Sequence, residues 1–203
     1  MTALLRGGIA VEDPLAVVLD VLAAWRQVVL PDASGPRTFG EADLRQANRA
    51  GARISAQQIA AILERRRAIE RALRAIPLDA TLAGEADTVP WVALGRLCGG
   101  FADVKGVGFA KMTKTLHWKR PALIPILDSV VQDYLADDDP GAGVAYSDRA
   151  LALVRGYQRD VARNHGVLGA AREELAAHGY RLTEVRILDL LIWWAWEARR
   201  GKA

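Results

Sequence analysis

Apolar residues recur at three- and four-residue steps along most of this sequence, and no stretch alternates convincingly with a period of two. The first spacing puts apolar side chains on one face of a helix, whereas the second is typical of a half-buried strand. The longest helical stretch covers residues 54–76, where seven isoleucines and leucines share one face. The sequence therefore predicts an all-α protein of roughly eight to ten helices.

Helix caps, glycines and prolines between the apolar stretches set the predicted boundaries. Asp13-Pro14 supplies a cap and a first turn, Ser55 and Thr183 are further caps, and Pro77 ends a helix. The predicted helices cover residues 13–29, 38 to beyond Leu44, 55–76, 90–101, 108–119, 128–135, 147–161 and 168–178, with a last helix from Thr183.

Length and composition predict how the helices are organised. The chain has 203 residues, of which 51% are hydrophobic, so it can bury a substantial core without disulfides or metals. The acidic segment 79–89 is the weakest junction and could separate an N-terminal helical lobe, residues 1–78, from the rest. A central part, 90–135, and C-terminal helices, 147–200, follow. We expect one compact helical domain.

Cysteine and histidine usage argues against metal and cluster sites. Cys98 is the single cysteine, so neither an intrachain disulfide nor a multi-cysteine site can form. His117, His165 and His178 lack the spacing of metal ligands, and the acidic run 137–139 is typical of a solvated turn. We therefore expect no cofactor, no metal and a reducing, cytoplasmic location.

Hydropathy gives no sign of a membrane segment. Acidic residues interrupt the N-terminal apolar runs before they reach the length of a signal peptide or a membrane span. The apolar block at residues 190–196 is too short to cross a bilayer and is flanked by Asp189 and Glu197. We expect neither secretion nor membrane contact, and the block is predicted to belong to the core.

Positive charge is concentrated between Asp103 and Arg120. This window holds five Lys or Arg residues against one acid, a net charge of +4, whereas the whole chain carries only +3. A local excess of this kind suits a polyanion-binding surface, although a solvated helix can also carry several lysines. The cations are Lys105, Lys111, Lys114, Lys119 and Arg120, and His117 and Trp118 are further candidates for contacting DNA.

Two glycines lie at the start of the basic window, in the stretch VKGVG at residues 104–108. Gly106 and Gly108 permit a tight turn with positive φ, and Val107 between them is expected to anchor the turn in the core. Backbone N–H groups at such a turn can bind a phosphate oxygen, and flanking lysines can hold neighbouring phosphates of a duplex. These lysines are Lys105, Lys111 and Lys114.

The stretch FADVKGVG, residues 101–108, resembles the helix-hairpin-helix motif of many DNA-binding proteins. Asp128 follows Gly108 by twenty residues, a spacing similar to that of DNA glycosylases of the endonuclease III type. In those enzymes an extended turn after the hairpin brings a catalytic aspartate to the start of the next helix. The stretch RPALIPILDS, residues 120–129, also resembles an uncharacterised bacterial family with an RP-x-LIPI-x-DS pattern.

The resemblance implies a DNA-repair hydrolase that removes a base from duplex DNA, with Asp128 stabilising the oxocarbenium-like state and activating water. Ala110 stands where strand-cleaving members of the family carry a lysine, and the four cysteines of the cluster-bearing members are missing. The implied enzyme is therefore a monofunctional N-glycosylase without lyase activity. Met112 replaces the small residue of the motif's second helix, so the two helices are expected to pack less closely.

Two other interpretations remain open. Asp128 can serve only as a helix N-cap, because aspartate is a preferred cap wherever a helix begins. The chain would then be a non-catalytic DNA-binding module. Alternatively, it is a helical scaffold whose Trp-rich C-terminal helix binds a protein partner, and the glycines only make a tight turn. Glu184 and Asp189, beside the tryptophans, are the remaining acids that could line a cleft, but helix capping and a salt bridge to Arg186 are the favoured roles for them.

Overall fold

The computed structural model describes residues 1–25 and 33–201. These residues form nine α-helices and one two-stranded hairpin, so the predicted all-α class is confirmed for this part of the chain. The hairpin is β1 (Ala3–Leu4) and β2 (Ala10–Val11), and the helices are α1 (Pro14–Trp25), α2 (Glu41–Arg49), α3 (Ala56–Glu64), α4 (Arg66–Arg74), α5 (Trp91–Gly99), α6 (Phe109–Leu116), α7 (Ser129–Tyr134), α8 (Tyr146–Ala177) and α9 (Glu184–Arg200).

The N-terminal hairpin was not predicted, because its strands are too short to show a period of two. They are antiparallel, with Ala3 opposite Val11. Asn164 of α8 holds the outer edge of β1: its Nδ2 donates to the carbonyl of Leu4 at 3.0 Å and its Oδ1 accepts from the Leu4 N–H at 2.7 Å. A side-chain amide thus takes the place of a third strand and ties the hairpin to the helical body.

Several predicted boundaries were wrong in detail. The helix predicted over 55–76 is interrupted at Arg65, which has φ −94° and ψ 4° and separates α3 from α4. The two helices predicted over 147–161 and 168–178 are one 32-residue helix, α8, because nothing between them stops it. Helix α2 begins after Gly40 instead of at Thr38. Residues 26–29 of the predicted first helix lie outside the described residues.

The core forms around α8 and α9, which pack against each other and against α1, with α5 on α8 and α7 on α9. Tyr157 lies at the centre of α8, fully buried, and its hydroxyl donates to the carbonyl of Val185 at 2.7 Å. The tryptophans of α9 are half-buried and pack against the same core, as predicted for the block at 190–196. They are Trp193, Trp194 and Trp196.

Arg120 connects the N-terminal helices to the segment that leads to α7. Its guanidinium is buried and donates five hydrogen bonds to backbone carbonyls, three of them at the end of α4 and just beyond it. The carbonyls of Leu73, Ile76 and Pro77 lie in the last turn of α4 or just beyond it, and the planar donor fork binds them together. The accepting residues are Leu73, Ile76, Pro77, Pro36 and Lys119.

Among the residues described, no helix has both the length and the hydropathy needed to cross a bilayer. One continuous cluster of buried apolar side chains extends from Ala3 to Ala195. Helices on both sides of the segment 79–89 contribute to it, and within that segment Leu82 donates its N–H to the carbonyl of Ala122 at 2.9 Å. The segment is therefore joined by a backbone hydrogen bond to the stretch that precedes α7.

Candidate functional site

The glycine turn, residues 104–108, lies between α5 and α6 and is exposed at both glycines. Gly106 has φ +74°, and Val107 donates its N–H to the carbonyl of Val104 at 2.9 Å. Val107 is buried, as expected of the residue that anchors the turn. Gly108 has φ −89° and ψ −176°, an ordinary extended conformation at the N-cap of α6. Only one of the two glycines therefore uses the positive φ that the sequence suggested for both.

Gln58 on α3 holds the glycine turn in place, and no sequence motif indicated this role. Its side-chain amide donates to the carbonyl of Lys105 at 3.0 Å and accepts from Nζ of Lys111 at 2.8 Å. A Cβ at Gly106 would lie only 2.7 Å from Nε2 of Gln58. Gly106 is therefore required by its backbone conformation, and a larger residue would also displace the end of the Gln58 side chain.

Three of the predicted DNA-contacting lysines reach the surface beside the turn. Lys105 is exposed, and Lys111 and Lys114 are half-exposed on α6. Lys114 makes no hydrogen bond or ion pair with any residue in 1–25 or 33–201. Its ammonium group lies near the connection between α2 and α3, because a Cβ at Gly51 would be 3.8 Å from Nζ. These lysines keep their place in the candidate interface.

Three other predicted contacts are buried, and we remove them from the interface. Nζ of Lys119 lies 2.6 Å from a carboxylate oxygen of Asp43, and both side chains are buried. Arg120 is the buried guanidinium described above. His117 donates from Nδ1 to the carbonyl of Ile124 at 2.7 Å, and burial, with the charge of Arg186, lowers its pKa to about 4. A count of charges along the sequence cannot separate cations that face solvent from cations with internal partners.

Trp118 is half-buried at the end of the lysine-bearing helix, with its ring edge-on to His117 at a centroid distance of 5.1 Å. Its indole nitrogen is buried and has no hydrogen-bond partner among the described residues. Part of the ring thus remains accessible at the end of the lysine-bearing helix, which is compatible with the predicted contact to DNA.

Asp128 is half-exposed and caps α7. One carboxylate oxygen accepts from the N–H of Val131 at 3.1 Å, and the other accepts from the indole N–H of Trp193 at 3.0 Å. The preceding residue, Leu127, donates its N–H to Oγ1 of Thr113 at 2.9 Å, so this segment is fixed against α6. Asp128 therefore lies beside the helix that carries Lys114, and its carboxylate has a defined orientation.

A second carboxylate, Asp189 on α9, is buried and feels the charge of Asp128. It forms the predicted ion pair with Arg186. Burial and the charge of Asp128 raise the pKa of Asp189, and Arg186 and Lys114 oppose them, so that the pKa lies at about 6. Asp128 and Lys114 are therefore close enough to Asp189 to act on its charge. The Oδ1 atom of Asp189 has no hydrogen-bond partner within the described part of the chain.

Metal-binding groups are not apparent around these acids. Within residues 1–25 and 33–201, no three His, Cys, Asp or Glu side chains converge as metal ligands would. Cys98 is buried, which raises the pKa of its thiol to about 12, so it is not a reactive thiolate.

A second basic region was missed in the sequence, although a charge count over every window finds it. Residues 45–74 hold eight arginines against two acids, a net charge of +6, which exceeds that of the window at 103–120. Some of these arginines have partners within the protein. Arg66 and Arg74 both form ion pairs with Glu70, and Arg65 donates a hydrogen bond to the carbonyl of Ala102. Arg45 pairs with Glu41, and Arg49, Arg53, Arg67 and Arg71 are exposed.

Comparison with known proteins identified one relationship. A family model described as a family of unknown function, DUF6308, matches residues 24–196. The match includes the glycine turn, α6, Asp128 and α9 up to Trp196. No curated protein and no solved structure matches the chain.

Proposed function

Because the chain belongs to the DUF6308 family, whose function is unknown, we propose a function from the site itself: the protein binds duplex DNA through the glycine turn and α6, and Asp128 cleaves an N-glycosidic bond. The hydrogen bond from Leu127 to Oγ1 of Thr113, 2.9 Å, is the observation that carries this proposal. It places a half-exposed carboxylate beside the lysine-bearing helix. The lysines proposed to bind phosphates and the carboxylate proposed to act on the sugar are therefore adjacent.

The DNA-binding part of the proposal rests on exposed, positively charged hydrogen-bond donors. Within the described residues, the ammonium groups of Lys105 and Lys114 form no hydrogen bond or ion pair, and the glycine turn directly precedes the N-terminus of α6. Lysines that neutralise phosphates release condensed counterions, so affinity should fall steeply as salt rises. These contacts position the protein on a duplex without reading its sequence.

The chemical half rests on the geometry of Asp128. Cleavage breaks the bond between C1′ and the base nitrogen, and positive charge develops on the sugar as the base leaves with the bonding electrons. A carboxylate near C1′ stabilises this charge and accepts a proton from the water whose oxygen adds to C1′. Each oxygen of Asp128 accepts one N–H and retains a second lone pair for this role.

The target nucleotide must leave the base stack before a carboxylate can reach its sugar. Trp118 is the best-placed aromatic group for contacting the opened stack, because it lies at the end of the lysine-bearing helix and is partly accessible. A role in DNA repair and a cytoplasmic location are further parts of this proposal.

A second candidate, a DNA-binding module without chemistry, is favoured by one observation. Both oxygens of Asp128 already accept N–H donors, as a purely structural cap would require. In that case the lysines bind DNA and the carboxylate only starts α7. The two candidates agree on binding and differ on the products.

Base release from damaged or modified duplex DNA, detected as alkali-labile sites, distinguishes the candidates. Asp128→Asn keeps a good N-cap and an acceptor for Trp193 but removes the charge. We expect this variant to bind DNA and to release no base, while Asp133→Asn, an exposed acid on the same helix, behaves as the wild type. Full activity in Asp128→Asn rejects the catalytic role, and binding without base release by the wild type supports the module.

A further inference from the structure

The connection between α2 and α3, residues 50–55, lies beside the lysine-bearing face of α6. Helices α2 and α6 pack together, and a Cβ at Gly51 would lie 3.8 Å from Nζ of Lys114. On the other side of the connection, Gln58 binds both Lys111 and the carbonyl of Lys105. The α2–α3 connection and the glycine turn therefore border the same surface.

Two arginines frame this connection, Arg49 at the end of α2 and Arg53 before α3. Both are exposed, and neither has a hydrogen bond or an ion pair with another residue in the described ranges. Other arginines of the same region differ, since Arg45 pairs with Glu41. The charges of Arg49 and Arg53 are thus available to an external anion.

The backbone that presents Arg53 is held in an unusual conformation. Arg53 has φ +55°, a region that residues with a Cβ seldom adopt, and Gly51 nearby has φ +78°. Asn48 fixes the next residue, Ile54, by accepting from its N–H at 2.6 Å and donating to its carbonyl at 2.9 Å. A disfavoured backbone conformation that is fixed by hydrogen bonds from neighbouring residues is often found where a side chain is pre-organised for a ligand.

We propose that the α2–α3 connection is a second wall of the DNA-binding surface, in which Arg49 and Arg53 contact the phosphodiester backbone of the duplex. The inference rests on the proposed DNA binding and extends it to a region that the glycine turn does not include. A guanidinium offers paired donors that match two phosphate oxygens, and the lysines and N–H groups of the opposite wall complement it. The partner is duplex DNA, with its phosphodiester backbone lying between Lys114 and Arg53.

Fluorescence anisotropy with a labelled duplex, measured over a range of potassium chloride concentrations, tests this inference. We expect Arg49→Ala/Arg53→Ala to lower the slope of log Kd against log salt by about 1.8, because about 0.9 is lost with each phosphate contact. The matched control, Arg96→Ala/Arg181→Ala, removes the same charge from exposed arginines on α5 and before α9 and should leave the slope unchanged.

The result for Lys105→Ala/Lys111→Ala/Lys114→Ala separates this inference from the proposed function. If the lysine variant loses slope and the Arg49/Arg53 variant does not, the second wall is wrong and DNA binding stands. If the control loses as much slope as the Arg49/Arg53 variant, the effect is one of net charge and the inference is rejected. Absence of duplex binding by the wild type, or displacement of the duplex by oligoglutamate at equal charge, rejects both.

Discussion

Trp193 donates its indole N–H to a carboxylate oxygen of Asp128 across 3.0 Å and so joins α9 to the first turn of α7. The two residues are 65 positions apart in sequence, and no local pattern predicts their contact. The bond orients the carboxylate that the proposed chemistry uses, and it links that carboxylate to the helix that also carries Asp189.

Trp193→Phe should remove this hydrogen bond and keep most of the ring packing. We expect the free energy of unfolding to fall by about 1 kcal/mol, because Asp128 is half-exposed and water can replace the lost donor. Urea denaturation of the variant and of Trp194→Phe, which has no hydrogen bond on its indole nitrogen among the described residues, measures the difference. An equal loss in both variants would mean that the indole N–H contributes nothing.

Arg120→Lys should destabilise the protein strongly although the charge is kept. The guanidinium serves five backbone carbonyls, whereas an ammonium group has three donors and no fork, so buried acceptors lose their partners. We expect a loss on the order of 3 kcal/mol in the free energy of unfolding. Arg96→Lys, at an exposed position on α5, should change it by less than about 0.5 kcal/mol. Similar values for the two variants would contradict the structural role of Arg120.

Gly106→Ser and Gly108→Ser should differ, although the two glycines are two residues apart. Serine at 106 must adopt a φ near +74° and displace Gln58, and we expect a cost of about 2 kcal/mol. Serine at 108 has an allowed φ, open space around its Cβ and a favourable N-cap position, so the expected change is within about 0.5 kcal/mol. Thermal unfolding of both variants is the measurement, and equal costs would disprove the assigned conformations.

Asp189 should make stability depend on pH in a direction opposite to that of most acids. The pKa of Asp189 is raised to about 6 in the folded protein, compared with about 4 in the unfolded chain. Its contribution to the free energy of unfolding is therefore fully present below about pH 4 and is lost as the pH rises through 6. We therefore expect the free energy of unfolding of the wild type, minus that of Asp189→Asn, to fall on the order of 3 kcal/mol over this range.

The free energy of unfolding of the wild type minus that of Asp189→Asn is the correct measure, because His117 changes stability with pH in the opposite direction. Its pKa is lowered to about 4, so its contribution is complete above pH 6.5 and is lost as pH falls. The wild type alone should therefore show a shallow profile, and Asp189→Asn a steeper one that rises with pH. Urea titrations with Asp133→Asn as the control test this, and a constant difference between wild type and Asp189→Asn would show that Asp189 is not perturbed.

The sequence predicted the helical class and most helix starts because caps and apolar periodicity are local signals. Ser55, Asp128 and Thr183 cap helices as expected, and each accepts from the N–H three residues onward. The interruption at Arg65 was not predicted, because the apolar periodicity continues through it without a proline or glycine. The merging of two predicted helices into α8 shows that a glycine within a helix does not end it when both flanks are packed.

The candidate site was predictable to the extent that its residues lie close in sequence. Lys105, Lys111 and Lys114 could be grouped from one window, but the same window included Lys119, which is buried against Asp43. Position along the chain says nothing about whether a cation faces solvent or an internal carboxylate. Gln58 and Arg53 enter the site only through tertiary packing, so no motif indicated them.

The five-carbonyl arrangement at Arg120 also changes how the stretch that leads to Asp128 should be understood. The Arg120-Pro121 dipeptide that precedes Asp128 has a structural role, because Arg120 binds the carbonyls at the end of α4, far away in the chain. Another protein with this dipeptide would first be expected to share the buried hydrogen bonds of the arginine. Its ligand would have to be established from its solvent-exposed residues.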